Sequence, residues 1–265
     1  MNRNSHIILF PILLLGMLAL SISPTSAAIK TAYIDYKQGS TPLRGYIAYD
    51  DSSGKIRPGV LIAHEWNGEG PYVEMRARKL AELGYVAFAC DIYGKGVRPT
   101  TPQACGATAS IYHKDRALTR ARIQAGLEIL RQNKLVDPKR IAAIGYCFGG
   151  MCALELARSG ANISGVVVFH GSLDTPTPED AKNIRCPILA LQGGDDPLVN
   201  QSIVEAFEKE MRDAHVDWQV VQYGGAVHGY TNPKNGSDPS HGVAYNAEAD
   251  RKSWAAMRTF FSEIF

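Results

Sequence analysis

The chain lacks the marks of several large classes of protein. It has no Cys-x-x-Cys pair, which removes the basis for thioredoxin-type redox exchange. His64-Glu65 has no second histidine four residues on, so it is not a zinc-binding H-E-x-x-H helix, and neither a metal nor another cofactor is expected. No block of Lys and Arg interleaved with aromatics occurs. The net charge is only +2 over 265 residues, and +1 once Arg3 is removed with an amino-terminal leader. That balance excludes an electrostatic nucleic-acid binder. There is no internal repeat and no low-complexity stretch, and about 237 residues after a leader suit one α/β domain.

The leader is read over residues 1–28. Arg3 supplies the positive start, residues 7–22 are almost wholly apolar, and Ser26-Ala27-Ala28 suits cleavage after Ala28 or Ala27. The run is too short and poorly flanked to span a membrane. Residues 29–265 are therefore expected as a secreted or periplasmic domain, free of the membrane after cleavage. Five cysteines, an odd number, leave at least one thiol unpaired in such a protein. Cys90, Cys152 and Cys186 sit in apolar contexts and read as core thiols. Cys105 lies in a Thr/Pro/Gly-rich loop, open enough to pair, with Cys90 as a candidate partner.

Periodicity gives the elements. Residues 31–37 and 43–49 alternate and read as an antiparallel edge hairpin. Buried strands are expected at 60–63, 85–90, 140–144, 164–169 and 187–191, with an alternating strand at 218–223. Helices are expected at 71–83, 112–133, 150–158, 201–214 and 247–264, the last with Trp254, Met257, Phe260 and Phe261 on its core face. Residues 94–109 read as a substrate-facing loop, and 232–241 as a turn-rich insertion.

The most informative stretch is Gly145-Tyr146-Cys147-Phe148-Gly149, a G-x-S-x-G nucleophile elbow with cysteine in place of serine, set between a strand and a helix. The turn is too tight for side chains at its glycines, and the helix amino terminus favours a thiolate. An acid follows at the end of a later strand, Asp195 or Asp196, and then His228 after another. That is the chain order of nucleophile, acid and histidine in α/β-hydrolases. Cys147 would attack a carbonyl, His228 would carry protons and the aspartate would orient it. The backbone N–H groups of Phe148 and Trp66 are the expected oxyanion donors.

His64-Glu65-Trp66-Asn67-Gly68, Asp91-Ile92-Tyr93-Gly94, Gly145 to Gly150, Gly193 to Val199 and Gly225 to Gly229 together resemble the dienelactone hydrolase family of cysteine hydrolases, from about Lys30 to the end. The resemblance implies an α/β-hydrolase fold with a mostly parallel sheet, helices on both faces and an antiparallel edge hairpin. It implies a triad of Cys147, Asp196 and His228. It also implies that Glu65 contacts the resting thiol and moves when substrate binds. Two arginines grip the substrate carboxylate in enzymes named for dienelactone, and Lys95 and neutral Asn232 stand at those positions here. Lys95, Tyr93, Tyr230 and Asn232 are the expected substrate-binding residues, His170 is a candidate pocket wall, and Arg98, Arg116 and His113 read as surface. The expected partner is a small ester or lactone, and the chain is read as a monomer or weak dimer. Rival readings are a general carboxylesterase or thioesterase, and a binding protein that retains the fold without catalysis.

Overall fold

The computed structural model describes Met1, residues 28–52 and residues 54–265. The leader expected at the amino terminus lies outside the described residues, save its two ends. Strands β1 (Ile29–Gln38) and β2 (Thr41–Asp50) form the expected hairpin, paired from Ile29–Asp50 to Gln38–Thr41. Six further strands complete one sheet: β3 (Arg57–Ala63), β4 (Val86–Cys90), β5 (Val136–Tyr146), β6 (Gly165–Phe169), β7 (Ile188–Gly193) and β8 (Trp218–Tyr223). Their order across the sheet is β1-β2-β4-β3-β5-β6-β7-β8, antiparallel through β1, β2 and β4 and parallel from β4 onward.

Alternation splits the strand residues between two cores. Leu61, Phe88, Ala143 and Val168 face helices α3 (Arg116–Arg131), α4 (Phe148–Arg158) and α5 (Gln201–Asp213). Val60, Ile62, Ile144 and Leu191 face α1 (Pro71–Glu82) and α6 (Ala247–Ile264). Because both faces are covered, the central strands read as unbroken apolar runs. Met257, Phe260 and Phe261 are buried as expected, each contributing about 2 kcal/mol in transfer terms.

Three expectations are corrected. The single helix over 112–133 is two, α2 (Pro102–Lys114) and α3, broken at Asp115. The backbone there is not helical (φ −112°, ψ 84°), and its carboxylate caps α3 by accepting from Leu118 N–H at 2.8 Å. The loop over 94–109 consequently ends at Thr101, which caps α2 ahead of Pro102. Cys105 is therefore a buried helical thiol, and all five cysteines are free, including the Cys90–Cys105 candidates. Among the described residues, no helix is long and apolar enough to cross a membrane.

Candidate active site

Cys147 joins β5 to α4 with φ 53° and ψ −120°, a conformation L-residues rarely hold. Its neighbours enforce it. A Cβ at Gly145 would stand 1.9 Å from the Gly149 carbonyl oxygen, and one at Gly149 would stand 2.2 Å from that of Ala63. The Cys147 N–H donates to Phe169 O at 3.0 Å and its carbonyl accepts from Gly150 N–H at 2.9 Å. Strand pairing and helix start thus hold the strained residue from both sides. Phe148 is the first residue of α4, where an amide has no intrahelical acceptor.

Strand ends bring the partners together. His228 Nε2 lies 3.1 Å from Cys147 Sγ, and His228 Nδ1 lies 2.8 Å from Asp196 Oδ2. Asp196 Oδ1 accepts from the amides of Leu198 and Val199, which fixes the carboxylate. Asp195 points elsewhere, accepting from Gly225 N–H. The turn-rich insertion folds back on His228, whose N–H donates to Gly242 O and whose carbonyl accepts from Ala244 N–H, both at 3.1 Å. Burial works against a charge on His228. The Cys147 sulfur and the Asp196 carboxylate outweigh it and push its pKa up to about 10.

These groups open onto a cavity of about 310 Å³ walled by Trp66, Ala109, His113, Phe148, Ser172 and Leu198. No Lys, Arg, Asp or Glu lines it. Trp66 is 41% and Leu198 58% exposed, so the mouth is apolar as well.

The expected substrate-binding set does not assemble here. Lys95 Nζ is bonded to Asp35 at 2.7 Å in a separate surface depression beside Tyr33 and Arg44. Asn232 is buried and donates to Glu65 Oε2 at 2.7 Å. Tyr230 is fully buried with its hydroxyl on Leu191 O. Tyr93 lies behind the wall, its ring 5.2 Å from that of Phe148 and its hydroxyl donating to Trp66 O at 2.9 Å. His170 is buried beneath His228 with Nε2 2.7 Å from Thr231 Oγ1, and it does not line this cavity. Arg116 is buried and bonded to Asp174, and Arg98 is bonded to Glu69; neither is a freely solvated surface charge. His113, read as surface, is a wall residue, because α2 turns it toward Phe148. Ser172 and Leu198 are further wall residues; Leu198 lies in the Gly193 to Val199 stretch, two residues past Asp196, and nothing in the sequence marks Ser172.

Glu65 also departs from expectation, since it is held by Asn232 while the thiol is bonded to His228. Burial pushes the Glu65 pKa up to about 7 against the pull of Asn232, His228 and Arg76. The folded state therefore retains a proton on Glu65 that the unfolded state releases from about pH 4.5 upward, and stability falls as pH rises through that window. Glu65→Gln cannot ionise and keeps an acceptor for Asn232. Its thermal stability relative to wild type should accordingly improve from about pH 5 to about pH 8, by up to about 3 kcal/mol. A difference in melting temperature that stays constant with pH would rule this out.

The sequence profile of the Dienelactone hydrolase family matches residues 43–265. A protein of Aquifex aeolicus provisionally named a carboxymethylenebutenolidase is 30% identical over 233 residues, covering 86% of this chain and 96% of that one. Protein usf of Aquifex pyrophilus is 28% identical over 235 residues, covering 87% and 97%. Among solved structures, a dienelactone hydrolase-like promiscuous phosphotriesterase from metagenomic libraries superposes with a TM-score of 0.85. It is 40% identical, over 90% of this chain and 99% of that one.

Proposed function

The chain belongs to the dienelactone hydrolase family and is a hydrolase acting on esters or lactones, and from that premise we propose that it works through a Cys147 thioester on small, uncharged substrates. The observation that carries this is the unbroken line from Cys147 Sγ through His228 to Asp196, at 3.1 and 2.8 Å, on an apolar cavity. His228 Nε2 holds the thiol proton as the sulfur bonds to the carbonyl carbon, and Asp196 stabilises the imidazolium. The carbonyl oxygen takes up the negative charge, facing the N–H groups of Phe148 and Trp66. Collapse expels the alcohol, which receives the proton from His228, and leaves the acyl group on sulfur. Water then gives a proton to His228 and its oxygen to the acyl carbon. The acid leaves and Cys147 is restored.

Uncharged substrates follow from where the cations are. Lys95 is engaged by Asp35 and Asn232 by Glu65, so neither position offers a carboxylate anchor. An anion in the cavity would lose its hydration and meet no Lys or Arg, and the one cationic wall group, His228, is already engaged by Asp196 and Cys147. A neutral ester or lactone should therefore show a kcat/KM at least about 10-fold above that of its carboxylate-bearing analogue. Equal or better turnover of the anion would refute the preference. Neutral phosphotriesters belong in the same panel, given the description of the 40%-identical structure.

Export completes the proposal. Arg3, the apolar run to residue 22 and Ser26-Ala27-Ala28 support removal of a leader. Amino-terminal sequencing of the protein recovered outside the cytoplasm should start at Ile29 or Ala28; an intact Met1 there would contradict it.

A further inference from the structure

We infer that His64 is a positioning residue for catalysis, whose Nδ1–H aims the Trp66 amide at the reacting oxygen. The inference rests on the proposed thioester route. His64 follows β3 directly and is itself wholly buried. Its Nε2 accepts from the Ile92 N–H at 3.2 Å, so the ring proton resides on Nδ1. Nδ1 lies 2.7 Å from the Glu65 carbonyl oxygen, to which it therefore donates. A second donor, the Gly68 N–H, reaches the same oxygen at 3.1 Å.

That oxygen belongs to the peptide unit whose other end is the Trp66 N–H. The unit is planar and trans, so its C=O and N–H point in opposite directions. Pinning the oxygen from two sides sets the direction of the N–H. Hydrogen bonds to a peptide carbonyl also polarise the group and strengthen its N–H as a donor. The next carbonyl, of Trp66, is held by the Tyr93 hydroxyl at 2.9 Å, which closes the far side of the loop. The ring has little freedom to leave. It meets Tyr93 edge-on at 4.7 Å between centroids and stacks near Phe148 at 5.8 Å. Burial also lowers the His64 pKa to about 4, so a single tautomer persists across the working range. A buried histidine of purely structural use would support the loop equally well, and the two roles part in kinetics.

The test compares two reactions of one sulfur. Turnover of p-nitrophenyl acetate passes through an oxyanion; alkylation of Cys147 by iodoacetamide does not. His64→Asn places an amide N–H where Nδ1 stands, whereas His64→Gln places its amide at the Nε2 end and leaves Glu65 O without that donor. His64→Gln should lose about 10²-fold in kcat with little change in KM, and His64→Asn should recover most of it. The alkylation rate and its pH profile should match wild type in both variants. Thermal melts identify a variant that fails to fold, and His64→Leu then serves as the donor-free replacement. Equal kcat in the Asn and Gln variants, or alkylation that slows in step with turnover, would overturn the assignment. Wild-type protein that keeps turning over after stoichiometric alkylation of Cys147 would instead defeat the thioester route, and this inference with it.

Discussion

Cys147→Ala is expected to lower kcat/KM by at least about 10⁴-fold while leaving the protein folded. The loss is large because no other group can form the covalent bond. The remaining four thiols are buried, and the walls otherwise offer the hydroxyls of Ser110 and Ser172, neither bonded to His228, and the His113 imidazole, which no base among the described residues activates and which lies on α2, across the cavity from the Cys147 elbow. What survives is binding and the oxyanion donors, which act on a water that has no assigned position. The fold should tolerate the change. The Cys147 side chain makes no capping bond to α4, and alanine occupies the same left-handed backbone with the same strain. Circular dichroism and a thermal melt would check this beside the kinetics. Cys147→Ser should fall between the two, since its hydroxyl is far less acidic and relies wholly on His228 for activation. An alanine variant within about 10-fold of wild type on every ester tested would remove Cys147 from the mechanism.

Asp196→Asn should cost about 10³–10⁴-fold in kcat. In the protein, Asp196 Oδ2 accepts a hydrogen bond from His228 Nδ1–H at 2.8 Å, which leaves Nε2 as the position that exchanges a proton with sulfur. An asparagine can keep its oxygen on the amides of Leu198 and Val199, and its NH₂ then faces Nδ1. The ring answers by carrying its proton on Nε2, aimed at Cys147, and can no longer take the thiol proton. The imidazolium loses its counter-charge as well, so the His228 pKa should fall from its raised value. Asp195→Asn is the matched control. That carboxylate caps Gly225 at the surface, and its loss should leave kcat within a few-fold. Similar losses in the two variants would show that the loop, and not the bond to His228, sets the rate.

Much of this was legible in the sequence because short-range chemistry governs it. The apolar runs ending at Ala63, Cys90 and Leu191 announce strands covered on both faces, and the glycines around Cys147 announce a turn that admits no side chains. What escaped depended on distant pairings. Lys95 looks like a free cation on its loop. The hairpin register sets Asp35 opposite Arg44, and that aspartate takes the ammonium from 60 residues away. Asn232 and Glu65 are 167 residues apart, and only the packed insertion brings them to 2.7 Å. The break at Asp115 was hidden because the residues around it keep helical spacing, and a cap is a matter of backbone angles.

The burial of four thiols beside one half-open thiol has a consequence for survival in air. Among the five cysteines, Cys147 alone is half-open to a solvent oxidant such as peroxide. A sulfenic acid formed there finds no accessible neighbour to condense with, so no internal disulfide shelters it. It is either reduced by a thiol from the surroundings or oxidised further to the sulfinic acid, which is not reversed. If the chain is exported as proposed, the working life of each molecule should then depend on how much small-molecule thiol its medium contains.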